Sequence, residues 1–350
     1  MELQIVNEIE VPNKVLSFIK LARLKFLIYS ALSYSLGTIF CIAFNAQEIS
    51  IVPFMLGLVA VWSTHLMTHF CNEYFDFEAD KANKAFTKST GGSRILVNGY
   101  LQPKTSLYAA FIFLLISLLL VFILPNLVSA GILLTAIFIG WFYTSPPFSL
   151  NYRRLGEFSV ATTLSFLVPL IGLTVQTGEI SFELLLLMTP FFLFQYTRML
   201  IMNLADYEGD IQVNKFTMAS TLGPNKTIIL YGFGQFVAYL LLFIMYLIES
   251  ISLLVLLSIL CTLPIAIWQY LRIKNNGFSN SITANSITFW ASTLSATSIL
   301  TLYFGIGIEC ITHVENYTKN QILSLWYLTI PLVFVFGVML VQVLKLKRKI

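Results

Sequence analysis

Charged side chains are what this 350-residue chain has least of. They make up 11% of it, while 57% is hydrophobic and the mean hydropathy is +0.81. That shortage excludes an ordinary water-soluble domain, in which about a quarter of residues are charged, and leaves a polytopic membrane protein. The chain also lacks any water-soluble linker, low-complexity tract or block of charge, so it reads as one integral unit. The four cysteines, Cys41, Cys71, Cys261 and Cys310, form no CxxC pair. They read as buried apolar residues and say little about redox compartment. The opening stretch is polar and lacks the pattern of a cleavable signal. Nothing points to nucleic acid or to an obligate protein partner, and the net charge of +4 matters less than where it sits.

A membrane span needs roughly 20 apolar residues. Ten stretches qualify: 22–44, 50–71, 105–123, 127–144, 157–176, 183–205, 226–247, 251–271, 285–307 and 323–344. With ten spans, almost every Lys and Arg falls on one side. Lys14, Lys20, Arg23 and Lys25 lie at or near the start of the first span, and Lys81, Lys84, Lys88, Arg94 and Lys104 follow the second. Arg153 and Arg154 follow the fourth span, Lys215 and Lys226 the sixth, Arg272 and Lys274 the eighth, and KLKRK ends the chain. The opposite loops carry Lys319 among glutamates. Positive charge collects on the cytoplasmic side, so both termini are expected there. Arg198 fits no loop, because it lies within the sixth span.

The second span runs directly into NEYFDFEAD (72–80), with four carboxylates in nine residues. Acids beside a bilayer are costly, usually functional and usually paired. The stretch has a counterpart: DFEADKANK (76–84) and DYEGDIQVNK (206–215) share Asp, aromatic, Glu, small residue, Asp, then Asn-Lys. An asparagine precedes each, Asn72 and Asn203. The two copies end the second and sixth spans, as an internal duplication would place them around one cavity. Asn72, Asp76 and Asp80 fall on one helical face, as do Asn203, Asp206 and Asp210, while Glu78 and Glu208 point elsewhere. Four facing aspartates would repel. Hard cations resolve this, and Mg²⁺ typically shares carboxylates with substrate phosphates. The expected ligand is therefore Mg²⁺ carrying a diphosphate, with Asp76, Asp80, Asp206 and Asp210 toward the metal. Lys84, Lys88, Arg94 and Lys215 would neutralise the remaining phosphate charge. The alternative is that the acids are solvated helix ends in salt bridges with adjacent lysines. A repeat in register speaks against it.

With NEYFDFEAD, DYEGD (206–210) and YTSPPFSLNYRRLGE (143–157) between them, the chain resembles the UbiA superfamily of intramembrane prenyltransferases from about Arg23 to the ninth span. TGGSRILVNG (90–99) resembles the branch that prenylates 1,4-dihydroxy-2-naphthoate on the way to menaquinone or phylloquinone. The resemblance implies an all-α, polytopic membrane bundle of nine helices around a cavity open sideways to lipid, to which the tenth span is an addition. The expected division is a polar tail (1–16), a core (17–308), and an outer loop, extra helix and basic tail (309–350). By the same resemblance, Asn72, Asp76 and Asp80 bind one Mg²⁺-diphosphate oxygen set, and Asn203, Asp206 and Asp210 the other. Tyr143 lies near the leaving oxygen or the nascent cation, Arg23 matches a basic residue at the entrance, and Lys215 matches a lysine that follows the second motif. The chain departs from the family at Glu73, where Asp is usual, and at Asn214 and Phe216 beside Lys215. At Asn151 relatives often carry Lys, and Arg153 or Arg154 is the candidate to replace that charge.

The implied reaction joins a polyprenyl diphosphate to an aromatic acceptor within the lipid bilayer. Mg²⁺ and basic residues stabilise the departing diphosphate, and aromatic faces stabilise the allylic cation, which must meet the ring before water does. His65 and His69 extend the stripe of Asn72 and Asp76, and could orient or deprotonate the acceptor's phenol. They could equally be bonded to neighbouring helices. Arg198, two turns before Asp206, could bind the acceptor's carboxylate or pair with a buried acid. Other outcomes stay open: a different aromatic acceptor, terpene cyclisation without an acceptor, or a cation-coupled transporter, since a repeat with intramembrane acids suits one as well.

Overall fold

The computed structural model describes residues 13–45, 48–275, 277–312, 318–325 and 333. Regular structure among them is helical throughout, and the one β-type pairing is a single bridge between Arg153 and Phe216. The helices are α1 (Lys14–Leu21), α2 (Leu27–Asn45), α3 (Ile51–Phe75), α4 (Phe77–Ala82), α5 (Pro103–Ile123), α6 (Leu127–Phe142), α7 (Gly156–Thr162) and α8 (Val168–Thr177). They continue with α9 (Phe182–Ala205), α10 (Tyr207–Gln212), α11 (Met218–Leu222), α12 (Pro224–Leu247), α13 (Leu253–Leu260), α14 (Leu263–Lys274), α15 (Ser281–Thr312) and α16 (Lys319–Ser324). Among the described residues eight stretches are long and apolar enough to cross a membrane, and Leu127–Phe142 is a shorter apolar helix. These nine coincide with the first nine expected spans. The tenth, 323–344, lies outside the described residues except for 323–325 and 333.

An all-helical bundle is what a bilayer imposes, because no water is there to satisfy backbone groups left open. Its outer surface is apolar: Leu127 is 91% exposed and Phe122 86%. Helix ends follow local signals. Asn126, Ser181 and Ser252 accept hydrogen bonds from the first-turn backbone of α6, α9 and α13. Proline opens α5 and α12.

α2 packs against α3, α8 and α15. It meets α8 closely, since a Cβ on Gly37 would strike the Pro169 carbonyl and one on Gly172 the Tyr34 carbonyl. Small residues let backbones approach in this way in membranes. Between α7 and α8 the chain widens into one π-helical turn, Thr163–Leu167. Pro169 just beyond it cannot donate a helical hydrogen bond and crowds the preceding turn, and a wider turn absorbs both defects. Thr163 and Leu164 of that turn line the cavity described below.

The duplication is visible in the backbone. α3 gives way to the short α4 at Asp76 (φ −92°, ψ 4°), and α9 gives way to the equally short α10 at Asp206 (φ −96°, ψ 4°). α4 packs on α10, so the two acidic stretches meet. Glu78 and Glu208 are exposed.

Gly37→Ala and Gly172→Ala each place a methyl group against backbone, at an expected cost of about 1–3 kcal/mol. Thermal unfolding in detergent should show a lowered midpoint for both. Gly131→Ala, where a Cβ meets nothing within 4 Å, should stay near the parent protein.

Candidate functional site

Where α3 and α9 break, the bundle encloses a cavity of about 220 Å³. Asn72, Asp76 and Asp80 line it from the first acidic stretch; Asn203, Asp206 and Lys215 line it from the second. Arg23, Tyr143, His69 and Arg198 complete the set of expected residues that reach it. Val61, Leu133, Ile139, Val168 and Ile171 form an apolar part of the wall.

Five expected residues, the exposed Lys88 among them, do not line the cavity. Asp210 sits behind it, 3% exposed. Lys84 is exposed, because α4 has already ended and the chain turns outward after Asn83, whose side chain accepts from the Ala85 amide (2.9 Å). Arg153 is also exposed, with Nη2 donating to the Pro147 carbonyl (3.0 Å). Arg94 bonds the Asp80 backbone carbonyl and lies 4.2 Å from the centre of the Phe86 ring. Lys84, Lys88 and Arg153, expected to neutralise phosphate charge, do not reach this cavity; beside the acids the basic side chains that line it are Lys215 and Arg23. Arg154, the other candidate for the charge missing at Asn151, is exposed and does not line the cavity; its Nε donates to Thr221 Oγ1 (3.1 Å).

The two acidic stretches are braced crosswise. Lys215, from the second, donates to Asp76 Oδ2 at 2.8 Å and lies 3.4 Å from Asp210 Oδ1. Asn83, from the first, donates to Asp206 Oδ1 at 2.6 Å. Gly209 permits the approach, because a Cβ there would come within 2.8 Å of the Asn83 Cα. Asp76 is further held by the Tyr152 hydroxyl (2.8 Å, to Oδ1) and by Asn72 Nδ2 (3.3 Å).

Burial governs the electrostatics. It pushes Asp80 well above the usual carboxylate range, helped by the charges of Asp76 and Glu73 and only partly offset by Lys215 and Arg23. Asp206 is raised by burial too, against hydrogen bonds from Thr90 and Asn83 and the charge of Lys215. Burial lifts Asp210 to about 7 despite Lys215. For Lys215 burial works against the ammonium, but Asp76 and Asp210 outweigh it and hold it well above its ordinary value.

Sequence reasoning did not assign roles to Glu73, Asn83, Tyr152 and Glu157. Glu73 accepts from the Ser93 amide and hydroxyl (both 2.7 Å) and pairs with Arg23 (3.6 Å), clamping the 90–94 loop and the entrance arginine. Glu157, fully buried, accepts from Asn203 Nδ2 (2.8 Å) and the Met218 amide (2.9 Å). A signal for Tyr152 and Glu157 was present, since both lie in the 143–157 run.

The donor set fits a hard cation shared with a ligand. It consists of carboxylate and amide oxygens, and buried Asp210 Oδ2 has no hydrogen-bond partner. An ammonium already bridges Asp76 and Asp210. Among the described residues no three His, Cys, Asp or Glu side chains converge closely enough to hold a metal by themselves. The remaining ligands would have to be phosphate oxygens and water.

Residues 34–293 match the UbiA prenyltransferase family. The chain is 27% identical over 210 residues to 1,4-dihydroxy-2-naphthoate octaprenyltransferase of Bacillus subtilis, spanning 59% of this chain and 65% of that protein. Its fold is similar to that of digeranylgeranylglyceryl phosphate synthase (TM-score 0.60, 20% identity, 84% of this chain and 98% of that one). It is also similar to a UbiA homolog from Aeropyrum pernix K1 (TM-score 0.64, 14% identity, 82% and 98%). A third similar structure is a UbiA homolog from Archaeoglobus fulgidus bound to DMAPP and Mg²⁺ (TM-score 0.57, 16% identity, 82% and 99%).

Removing Lys215 leaves two buried carboxylates facing each other. Lys215→Met should cost about 3–5 kcal/mol of stability, read as a lowered unfolding midpoint that millimolar Mg²⁺ raises more than in the parent. Because burial keeps Asp210 protonated below about 7, a metal that needs the carboxylate must displace a proton there. Mg²⁺ affinity should weaken as pH falls through about 7. Calorimetry in two buffers of different ionisation enthalpy should show more protons released at pH 6 than at pH 8.

Proposed function

Because this chain belongs to the UbiA prenyltransferase family, we propose that it transfers a polyprenyl group from an allylic diphosphate to 1,4-dihydroxy-2-naphthoate, a step of menaquinone or phylloquinone biosynthesis. The observation that carries the reading is one cavity whose lining joins residues of both acidic stretches and Lys215 to aliphatic side chains. The matched relative supports the acceptor, and the solved relative with DMAPP and Mg²⁺ supports the donor.

Mg²⁺, which Asp76, Asp80 and Asp206 would hold, with Asp210 behind them on Lys215, would withdraw charge from the departing diphosphate. Lys215 and Arg23 bind the diphosphate oxygens, and the rigid brace through Asn83 keeps them in place before the ligand arrives. Asn72 and Asn203 orient the same oxygens, Asn72 from beside Asp76 and Asn203 from its hold on Glu157. Tyr143 offers a ring face to the allylic cation. The aliphatic wall excludes water, which would otherwise capture that cation. The mouth faces the cytoplasm, since the Lys- and Arg-bearing connections after α3, α6 and α9 lie at this end.

Purified protein with Mg²⁺ and geranylgeranyl diphosphate should convert dihydroxynaphthoate to a prenylated product detectable by mass spectrometry. Product should vanish with EDTA and fall by about 10²–10³-fold in Asp76→Asn and Asp206→Asn. Product from 4-hydroxybenzoate or homogentisate instead would change the acceptor. A cyclised hydrocarbon without acceptor would replace the transfer reading by cyclisation. No diphosphate consumption with any donor would return the transporter to the lead.

A further inference from the structure

Deeper along the cavity lies a second polar group that the diphosphate chemistry does not use. Arg198 is 6% exposed and lines the cavity. Its Nε donates to Gln195 Oε1 (2.8 Å), and its guanidinium lies over the Tyr29 ring, 4.5 Å from the centroid. No carboxylate among the described residues pairs with it; the ion pairs there join Arg23 to Glu73 and Lys215 to Asp76 and Asp210. A buried cation in a membrane protein without a countercharge is costly, so the position calls for an anion from outside the chain. Along α9, Arg198 precedes Asp206 by eight residues, about 12 Å of helix. That is beyond the reach of one diphosphate held at Asp206.

Two histidines line the same cavity, and a hydrogen bond fixes the tautomer of one, His69. His69 Nδ1 lies 2.9 Å from the Ala22 carbonyl, which can only accept, so Nδ1 carries the proton. Ser30 Oγ lies 3.1 Å from the Leu27 carbonyl and 2.8 Å from His65 Nδ1, so its one proton can go to either, and the His65 tautomer follows that choice. Both rings line the cavity with Nδ1 tied to the wall. His69 therefore has Nε2, a bare lone pair, left for a ligand, and a bare lone pair binds a hydroxyl; His65 Nε2 offers a lone pair when Ser30 accepts and an N–H when Ser30 donates.

We propose that Arg198, His65 and His69 form the acceptor subsite, and that it selects an aromatic bearing both a carboxylate and a hydroxyl: the carboxylate on Arg198, the hydroxyl donating to a histidine Nε2. This rests on the reading of the cavity as a prenyltransferase site. It deepens that reading by stating which chemical handles the acceptor must carry. The residues act as positioning groups, holding the ring between Arg198 and the acids at the mouth.

The test is equilibrium binding by calorimetry to the full-length protein in detergent, under reducing conditions and without turnover. Three probes are compared: 1,4-dihydroxy-2-naphthoate, 1,4-dihydroxynaphthalene, which lacks the carboxylate, and 2-naphthoate, which lacks the hydroxyls. The parent should prefer the first over the second by roughly ten- to hundredfold, the range of a charge-assisted bond. Arg198→Gln should bring that ratio near one, and Arg198→Lys should restore part of it. The paired change His65→Gln with His69→Gln should instead erase the preference for dihydroxynaphthoate over 2-naphthoate. Geranyl diphosphate binding with Mg²⁺ should hold in every variant, which also reports folding. A parent ratio near one for either pair of probes overturns the subsite, and so does a ratio that Arg198→Gln leaves unchanged. Product formation is scored separately. Selective, Arg198-dependent binding without product under any donor upholds the subsite and sinks the transfer reading.

Discussion

The site depends on one exchange of side chains between two copies of a motif. Lys215 of the second copy holds Asp76 of the first, and Asn83 of the first holds Asp206 of the second. Without it, the breaks at the ends of α3 and α9 would face each other as buried carboxylates with nothing between them, and like charges in a low dielectric repel strongly. Each copy carries Asn-Lys after its second aspartate, yet each uses a different member of the pair. Asn83 and Lys215 turn inward, while Lys84 and Asn214 are exposed. The duplicated sequence thus yields an asymmetric site. One brace is an ion pair that also touches Asp210, and the other is a neutral hydrogen bond.

That asymmetry explains the distribution of charge. Asp76 is held by Lys215, Tyr152 and Asn72. Asp80, Asp206 and Asp210 have weaker support, and burial raises all three above the normal carboxylate range. One ammonium, Lys215, therefore stands where the oxygens are arranged to receive cationic charge. Asp210, behind the cavity wall, reaches the rest of the site through Lys215, so the lysine is the element most sensitive to ligand charge.

Much of this was legible in the sequence, and the reason is periodicity. Asn72, Asp76 and Asp80 share a face although the chain breaks between α3 and α4. The helical hydrogen bonds run on through the break, from the Asp76 amide to Asn72 (2.8 Å) and from the Asp80 amide to Asp76 (2.9 Å). Nine of the ten expected spans fall on apolar helices, eight of them long enough to cross a membrane, and apolar length alone located them. Loop charges were not legible in this way, since a loop residue has no face that spacing can assign. Lys84 and Arg153 lie near the acids in sequence but turn outward, whereas Glu73 and Glu157 look like ordinary surface charges and are buried clamps. Glu73, a departure from the family pattern, is satisfied by Arg23 and Ser93, contacts that form only when three separate segments fold together.

The histidines and Arg198 show the same limit from the other direction. Their positions on α3 and α9 placed them on the cavity stripe, but spacing could not separate a ligand-binding role from a structural one. Hydrogen-bond direction separates them. A histidine whose Nδ1 is committed to a carbonyl can offer only an acceptor to a ligand, and an arginine with an amide and an aromatic ring for neighbours still lacks a countercharge. The cavity therefore has two electrostatic ends of opposite need, acids at the mouth that require cations and a guanidinium within that requires an anion. A substrate pair consisting of a metal-bound diphosphate and an acidic aromatic satisfies both at once.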